Sequence, residues 1–400
     1  MTAKPRPAAT TDWANDFDPF DPRWVSDPYP IWNEIRETCP VAAHTDRYVG
    51  AYFFPRYEDI RTIVNDTEHF SSRRVSVRAT KTEPPVSAPP ITRDPPDHAA
   101  SRMILLPPLT PKAVARHEDH IRKICRDLLD RLEGMSRCDA AVDYAQEIPT
   151  QVMARFLGVP EADGPQFRHW VHQSLELGLQ DAEAYSRATG EMNAYLADQV
   201  KQRRGEETDD YIGYLTHASY EGRGLSDQDI INTLRLLLLA GIDTTWSAIG
   251  ASIWHLAGHQ EDLKRLTAEP ELLPTAMEEF LRAYAPATMA REIVKDVEVR
   301  GCPLNVGEMA IVSYPMANRD PAVFPDADKV IIDRKVNRHV TFGLGIHRCI
   351  GSNLARLELR VALEEWLARI PRFSLDPAGP PVTWSASHLR GPKSIPIVLG

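Results

Sequence analysis

The feature that most restricts the fold of this chain is a ten-residue segment, FGLGIHRCIG, at residues 342–351. It places three glycines and a cysteine directly before a stretch with the apolar spacing of a helix. Glycine tolerates positive φ and lets the backbone approach a flat ligand closely. A thiol at the start of a helix has its thiolate form favoured by the helix dipole and by unpaired backbone N–H groups. The segment therefore predicts that Cys349 is a metal ligand, although an isolated cysteine is more often simply buried.

Composition narrows the class of protein. The chain has 46 Lys and Arg against 56 Asp and Glu, a formal net charge of −10, which argues against a nucleic-acid partner. With 43% hydrophobic and 26% charged residues it has the composition of a soluble globular protein. Five cysteines at wide spacing do not form a disulfide framework, so a reducing compartment is expected.

Neither a targeting segment nor a membrane span is predicted. The N-terminal residues have no apolar run behind their early cations, unlike a signal peptide. The most apolar window, residues 236–242, is much shorter than the hydrocarbon core of a bilayer requires. The sequence therefore predicts a cytoplasmic protein with no membrane partner.

The order of patterns along the chain predicts one domain, residues 1–400, that is mainly α with a smaller β region (α+β). The first 30 residues are too rich in proline for a helix and are expected to form a wrapping arm. Residues 73–96 predict a long irregular loop, and loops of that length are usually functional. Helical spacing predicts helices at residues 111–132, 141–156, 163–178, 181–204, 227–259, 273–284 and 349–370, and short strands fall within 293–312.

The segment at 342–351 resembles the haem-binding loop of the cytochrome P450 superfamily. This resemblance implies haem b (iron protoporphyrin IX) as cofactor, with Cys349 as the axial iron ligand and with Phe342 and Gly351 beside it. It also implies the triangular cytochrome P450 fold, in which a long central helix crosses the haem. The resemblance extends over nearly the whole chain. Within it, residues 282–366 look like the haem domain of self-sufficient, fused bacterial members.

A second motif, AGIDTT at residues 240–245, interrupts the longest apolar helix. Glycine costs about 1 kcal/mol in a helix interior, so a compensating role is expected. Gly241 beside Ala240 would leave room for a planar cofactor, and the Thr244 hydroxyl can turn to the Ala240 carbonyl and open a local groove. The resemblance implies that Asp243 and Thr244 form an acid-alcohol pair that relays protons to bound dioxygen. The alternative for Thr244 is backbone hydrogen bonding with no further role.

A third motif, Glu279-x-x-Arg282, puts both side chains on one helix face, a spacing that is also common on solvated helices. The resemblance pairs these residues with Arg334 and implies a purely structural role in holding the haem loop.

Four further residues match the positions that bind haem propionates in the family. His98 and Arg102 lie four residues apart at a predicted helix start, Arg291 follows nine residues after Arg282, and His347 lies inside the haem loop. Buried carboxylates need charge-assisted donors, which these side chains supply. For each residue alone, a surface salt bridge is the competing interpretation.

The resemblance implies a monooxygenase, which consumes O₂, two electrons and two protons and inserts one oxygen atom into the substrate. The chain has no nucleotide-binding fingerprint and no cysteine cluster for iron and sulfur. Electrons are therefore expected from a separate iron-sulfur ferredoxin and its NAD(P)H-dependent reductase. A docking face for an acidic ferredoxin is hypothesised at eight cations, with a merely solvated surface as the alternative: Lys112, Arg116, Arg122, Lys123, Arg338, Arg348, Arg356 and Arg360.

The predicted substrate pocket is mostly apolar, which favours a small or medium hydrophobic substrate, including an aromatic one. Its candidate residues, beside the loop at 73–96, are Leu236, Leu237, Ala240, Ala287, Thr288, Met289 and Leu389. Arg78 or Arg390 could still bind an anionic group. Hydroxylation and oxidative O-dealkylation remain open, because both begin with the same hydrogen abstraction.

Three other functions remain as alternatives. A peroxide-driven enzyme of the same fold would tend to lack the acid-alcohol pair that this chain retains. A non-catalytic haem sensor would use Cys349 but would not need Asp243 and Thr244. A structural zinc site at Cys349, His347 and His339 has suitable ligand types but lacks the usual spacing.

Overall fold

The structure is a computed structural model that describes residues 10–39, 41–47, 50–77, 85–179, 181–206, 208–386 and 388–400. Most of the described elements are helices. In chain order they are α1 (Pro22–Ser26), α2 (Tyr29–Thr38), α3 (Tyr57–Asn65), α4 (Asp97–Leu105), α5 (Pro111–Val114), α6 (Glu118–Asp130), α7 (Glu147–Leu157), α8 (Gly164–Leu175), α9 (Ala182–Arg203), α10 (Tyr211–His217), α11 (Asp227–Gly258), α12 (Gln260–Ala268), α13 (Leu273–Ala283), α14 (Tyr314–Ala317) and α15 (Ser352–Arg369).

The strands form a smaller part of the described fold. They are β1 (Ala43–Thr45), β2 (Ala51–Phe54), β3 (Phe70–Ser71), β4 (Arg137–Asp139), β5 (Ser219–Tyr220), β6 (Arg223–Gly224), β7 (Thr288–Ile293), β8 (Val297–Val299), β9 (Cys302–Leu304), β10 (Met309–Ser313), β11 (Phe373–Leu375), β12 (Thr383–Trp384), β13 (Pro392–Ser394) and β14 (Pro396–Leu399).

One mixed sheet and one small antiparallel sheet organise these strands. The first has the order β1-β2-β10-β7-β3, in which only β2 and β10 run parallel. The second has the order β11-β14-β4. Three antiparallel pairs, β5 with β6, β8 with β9, and β12 with β13, complete the described strands. The predicted α+β class, mainly helical with a smaller β region, is confirmed.

Helix α11 is the central element of the helical part. The Ser226 side chain accepts from the Asp229 backbone N–H at its start, which satisfies one of the donors left open there. Its interior is apolar on most sides, as expected of a helix surrounded by others. It packs against α7, α8, α9 and α15. The long central helix that the family resemblance implies is therefore present.

By length and composition alone, α11 is also apolar enough to cross a membrane. Its most apolar 18-residue window has a mean hydropathy of 1.4, and 56% of that window is buried inside the protein. The core helix of a large protein passes the same test.

The proline-rich arm contains α1, a helix that the sequence did not predict, and the first residues of α2. Helix α1 begins with Pro22, and α2 has Pro30 in its first turn. Proline is tolerated there because the first N–H groups of a helix have no intrahelical partner. Phe17, which precedes α1, and Trp24 of α1 pack against Phe53 of the mixed sheet, with ring centroids 5.5 and 5.3 Å from that of Phe53.

Other helix boundaries also differ from the prediction. The helix expected at 111–132 is divided into α5 and α6 by a tight turn at Ala115–His117. Helices α10 and α12 were not predicted. Both are short, so their packing against longer neighbours decides their conformation more than their local pattern does. In the predicted loop, residues 73–77 and 85–96 contain no helix or strand, and residues 78–84 lie outside the described residues.

A buried ion network joins α13 to the chain that leads into the cysteine loop. Glu279 accepts from Arg282 Nε and Nη2, both at 2.8 Å, and from Arg334 Nε at 3.0 Å. The backbone N–H of Ile331 also donates to it, at 2.8 Å. Arg282 in turn donates to the backbone carbonyls of three residues in the following segment, which are Asn318, Ala327 and Lys329. The network thus fixes the path of residues 318–334 onto α13.

We expect Glu279→Gln to destabilise the protein strongly. The change removes the carboxylate charge and leaves Arg282 and Arg334 buried without their counter-ion, a loss of about 3–5 kcal/mol. Thermal or urea unfolding of the purified protein measures it. Glu271→Gln, at an exposed position just before the same helix, is the matched control. Equal stability of both variants would contradict this reading of the network.

Candidate functional site

The cysteine loop has a backbone that requires its glycines. Gly343 and Gly345 have φ of +70° and +66°, a region that other residues rarely adopt. A Cβ at Gly345 would also lie 2.8 Å from the Val64 carbonyl oxygen. The loop closes where the Cys349 N–H donates to the Phe342 carbonyl at 2.7 Å. These contacts fix the position of Cys349, which lies three residues before the first residue of α15.

The Cys349 side chain has accessible surface, and it lines an internal cavity. Enclosure by the surrounding protein raises the pKa of its thiol, while a backbone hydrogen bond from Gly351 lowers it. The positive charges of Arg102, Arg348 and Arg356 act in the same direction as that hydrogen bond. A metal ion at the sulfur would complete the stabilisation of the thiolate, since thiolates bind metals in the deprotonated form.

The cavity has a volume of about 390 Å³ and separates the cysteine loop from α11. Most residues predicted from the sequence to form the site line it. They are Arg102, Leu236, Leu237, Ala240, Gly241, Thr244, Ala287, Met289, Arg291, Phe342, His347, Cys349, Gly351 and Leu389. Positions from five separate stretches of the chain are thus brought into one place.

A cationic cluster forms one wall of this cavity. The rings of His98 and His347 lie 4.4 Å apart, and the Nε2 atom of each is buried with no hydrogen-bond partner. Arg102 and Arg291 stand beside them, and the burial of His347 together with these charges lowers its pKa to about 3. Within the described residues no ion pair joins any of the four to a carboxylate. The cluster therefore fits a ligand that brings its own carboxylates, as the two propionates of haem do.

Helix α11 forms the opposite wall. Thr244 Oγ1 donates to the Ala240 carbonyl at 2.6 Å, as predicted. Gly241 lines the cavity, but a Cβ there would lie 2.9 Å from the sulfur of Met153. Because that sulfur lies at the flexible end of a side chain, the contact shows close packing of α7 on α11 but does not by itself require glycine. Ala240, which is exposed to the cavity, also leaves space there for a planar group.

Asp243 does not face this cavity, and the structure in this respect departs from the expected pair. Successive residues of a helix point about 100° apart, so Thr244 and Asp243 lie on different faces. Asp243 is buried and lines a second, polar cavity on another side of α11. Burial, helped by the nearby charge of Glu176, raises the pKa of its carboxyl to about 8.

Two other pocket predictions need correction. Along β7, Met289 and Arg291 face the cavity, whereas Thr288 points to the other side, with its hydroxyl 3.3 Å from that of Ser313. This follows from the alternation of side chains along a strand. Arg390 is also turned away, because its guanidinium binds the Ser26 carbonyl at 3.2 Å. Arg78 lies outside the described residues.

His98 does not line the cavity directly but lies behind His347 in the cationic cluster. The structural trio Glu279, Arg282 and Arg334 lies outside the cavity, as expected of residues that hold the loop.

Sequence reasoning missed the side chain that fastens the irregular loop over the cavity. Arg235 is buried in α11 and donates to the Ser87 carbonyl and to Asn193 Oδ1, both at 2.7 Å. A second link joins Arg93 to Asp229 at 3.0 Å. Between these two links, loop residues 88–92 line the cavity. An arginine inside an apolar helix is the signal that could have identified this role.

The zinc alternative finds no support in the geometry. His339 Nε2 lies 2.8 Å from Glu278 and so is engaged away from Cys349. Across the described ranges, no group of three His, Cys, Asp or Glu side chains is placed to hold a metal ion. A sulfur ligand facing an apolar cavity with a carboxylate-binding wall instead suits an oxidoreductase that carries a planar iron cofactor.

Comparison with known proteins identifies the family. A cytochrome P450 family profile matches residues 178–387. The mycinamicin IV hydroxylase/epoxidase of Micromonospora griseorubida is 33% identical over 92% of this chain and 94% of its own. The chain therefore belongs to the cytochrome P450 family.

Solved structures agree with this assignment. The polyketide synthase cytochrome P450 PksS of Bacillus subtilis superposes with a TM-score of 0.87 at 29% identity, covering 96% of this chain and all of the other. CYP109E1 of Bacillus megaterium, in complex with testosterone, gives a TM-score of 0.82 at 30% identity, covering 94% and 99%. The cofactor is haem b, and the enzyme is a cytochrome P450 monooxygenase.

We expect Arg291→Ala to weaken haem retention. The side chain is buried in the cationic cluster, and loss of one charge-assisted hydrogen bond costs about 1.5–3 kcal/mol, or a rate of haem loss at least about tenfold higher. Transfer of haem to an excess of apomyoglobin measures that rate. Arg372→Ala, at an exposed position outside the cavity, should retain haem normally. Unchanged haem retention in Arg291→Ala would show that this residue does not help to bind haem.

Proposed function

We propose that this enzyme inserts one oxygen atom from O₂ into a small or medium hydrophobic substrate, with Cys349 as the axial ligand of the haem iron. The observation that carries the proposal is the single cavity that holds the Cys349 sulfur, the unpaired cationic cluster and the Thr244 hydroxyl. When bound, haem supplies the activation of O₂, and the thiolate favours cleavage of the O–O bond. We further propose that residues 1–400 act as one haem domain in the cytoplasm.

The protein's own part in the reaction is to orient the substrate and to manage protons. Leu236, Leu237 and Ala240 present an apolar surface of α11 to the substrate. Thr244 also lines the cavity, and the proton of its hydroxyl is committed to the Ala240 carbonyl. Its oxygen is therefore free to accept a hydrogen bond from inside the cavity. Asp243, one residue before it, is proposed to supply the protons.

The apolar lining supports a hydrophobic substrate. Of the relatives named above, one is a mycinamicin IV hydroxylase/epoxidase and another was solved in complex with testosterone. The volume of about 390 Å³ is shared between cofactor and substrate, which favours a molecule smaller than a macrolide. Hydroxylation and oxidative O-dealkylation are both compatible with this site, because each begins at a C–H bond held over the iron.

We expect aromatic or terpenoid ligands to give a type I shift of the Soret band, since an apolar molecule displaces water from the apolar distal side. Titration of the ferric enzyme with a panel of aromatic, terpenoid and fatty-acid ligands measures the affinity of each. The absence of a type I shift with every member of the panel would contradict the proposed substrate class.

Electrons are proposed to come from a separate iron-sulfur ferredoxin and its NAD(P)H-dependent reductase. In the structure, fewer of the eight cations are available for the hypothesised docking face. Arg122 and Arg360 share Glu118 and Glu364 at 2.7–2.9 Å, Arg356 binds Glu278, and Lys123 binds Asp127. These cations are largely neutralised by their partners. The predicted cations near the start of this region do not share one helix, because Lys112 belongs to α5 and Arg122 belongs to α6.

The cations that remain for docking are exposed and have no carboxylate partner in the described part of the chain. They are Lys112, Arg116, Arg338 and Arg348. The Asn353 side chain donates to the Leu109 carbonyl at 2.9 Å, which ties the start of α15 to the segment before Lys112. Lys112 and Arg348 are thereby held on neighbouring surface, next to Cys349.

We expect the double variant Lys112→Glu/Arg116→Glu to slow reduction by an acidic [2Fe–2S] ferredoxin at least about tenfold at low salt. The rate should also become less dependent on salt, because the attraction that salt screens has been removed. Stopped-flow reduction under carbon monoxide measures both. Lys201→Glu on α9 is the control. Arg348 is left intact because its charge acts on Cys349. Unchanged rate and salt dependence would refute the docking face.

We expect the dithionite-reduced protein to give a Soret band near about 450 nm with carbon monoxide, the signature of a thiolate opposite the bound gas. Cys349→Ser should lose this band, whereas Cys302→Ser, which changes another partly exposed cysteine, should keep it. A wild-type band near about 420 nm in freshly purified protein would contradict Cys349 as the ligand.

A further inference from the structure

Two adjacent carboxylates of α13 bind different parts of the chain. Glu279 holds the segment at 318–334, whereas Glu278 binds Arg356 of α15 and His339. Glu278 Oε1 accepts from Arg356 Nε at 2.6 Å, and Glu278 Oε2 accepts from Arg356 Nη2 at 2.9 Å. The His339 Nε2 atom lies 2.8 Å from the same Oε2 atom. Because both carboxylate oxygens bind Arg356, the orientation of its guanidinium is fixed.

That orientation places the Arg356 guanidinium on the aromatic ring of Phe342. The Arg356 Cζ atom lies 4.3 Å from the centroid of that ring, which is a cation–π contact. Phe342 is the first residue of the cysteine loop, and its carbonyl accepts from the Cys349 N–H at 2.7 Å. Both Phe342 and Cys349 line the haem cavity. Consecutive contacts thus connect Glu278 to Arg356, Arg356 to Phe342, and Phe342 to the cysteine.

Both members of this ion pair are charged at neutral pH. An arginine guanidinium stays protonated in proteins. Burial raises the pKa of Glu278, but hydrogen bonds from Arg356 and His339 outweigh it and lower the pKa to about 2. A permanent positive charge therefore lies against the ring of Phe342, and its counter-charge belongs to α13.

A charge at this position bears on the electron-transfer step of the reaction. One electron leaves the ferredoxin, which is oxidised, and enters the ferric haem iron, which is reduced. The unit of haem and thiolate thereby becomes more negative by one charge. A nearby positive charge stabilises that reduced state, whereas a nearby negative charge destabilises it.

We propose that the ion pair of Arg356 and Glu278 adjusts the reduction potential of the haem iron. Arg356 raises the potential, and Glu278 both holds Arg356 on Phe342 and limits the increase. The inference rests on the proposed function, because it requires Cys349 as the axial ligand. Both residues act through Phe342 and the cysteine loop, so they are positioning residues. The pair thus determines how readily a ferredoxin reduces the iron.

The test compares variants that each remove one charge from the complete, haem-loaded enzyme. Arg356→Gln and Glu278→Gln remove the two charges of the pair. Arg360→Gln and Glu364→Gln are the matched controls, because Arg360 lies one turn further along α15 and pairs with Glu364 at 2.9 Å. The side chains of Arg356 and Arg360 are equally exposed, at 31%. Spectroelectrochemical titration at one fixed pH measures the ratio of ferrous to ferric haem at each applied potential.

We expect Arg356→Gln to lower the ferrous-to-ferric ratio at a fixed applied potential at least about threefold, or about 28 mV at about 59 mV per tenfold change. Glu278→Gln should raise the ratio by a similar factor, because Arg356 then lacks its counter-charge. Arg360→Gln and Glu364→Gln should keep the ratio of the wild type. Arg356→Lys retains the charge without the planar guanidinium, so its ratio should lie closer to that of the wild type than Arg356→Gln does.

Shifts in opposite directions distinguish an effect of charge from a loosened loop, which would move the potential in one direction whichever charge is removed. Shifts in the same direction, or shifts no larger than those of the controls, would overturn the proposal. If Arg356→Gln does not bind haem, Glu278→Gln decides, and a ratio that is unchanged or lowered in that variant overturns the proposal. A wild-type protein without the carbon monoxide band near about 450 nm would contradict the proposed function instead.

Discussion

The arrangement of the site depends on one buried carboxylate. Glu279 lies with no exposed surface beneath the cysteine loop and takes five hydrogen bonds, from Arg282 twice, Arg334, Ile331 and Asn337. Residues 318–341 contain no helix or strand, so regular backbone hydrogen bonding cannot by itself fix the path of this segment. Charge-assisted hydrogen bonds to its carbonyls and amides replace those ladders. The chain that leads to Cys349 is therefore positioned by an ion network whose last arginine, Arg334, lies 15 residues before the cysteine in the sequence.

A second constraint comes from two arginines and two histidines that are gathered with no negative charge beside them in the described part of the chain. His98, Arg102, Arg291 and His347 are brought to one wall without a carboxylate from the described chain. Such a cluster is costly unless a ligand supplies the negative charge, so the folded protein and its cofactor stabilise each other. The depressed pKa of His347 reports the same cost. Binding of haem should relieve it, because propionates favour the protonated form of a neighbouring imidazole.

Helix α11 separates two environments. One face presents Leu236, Leu237, Ala240 and Thr244 to the apolar haem cavity, and another presents Asp243 to a polar cavity. This division keeps the apolar surface of the haem cavity apart from the carboxyl of Asp243. Gly241 lines the haem cavity and also lies in close contact with Met153. The motif at 240–245 thus combines packing, chemistry and separation in six residues.

The sequence by itself determined the class of fold and the family, and most of the site residues that it predicted line the cavity, because glycine spacing, a helix-start cysteine and helical periodicity are local properties of the chain. The existence of α11 and the loop at 73–96 followed from the same local patterns. Only the tertiary structure decided which way side chains turn. Strand alternation removed Thr288 from the pocket, helix geometry turned Asp243 to a second cavity, and ion pairing withdrew Arg122, Arg356 and Arg360 from the docking face. Arg235 gained its role only from distant partners, since contacts between residues far apart in sequence leave no spacing that a local pattern can reveal.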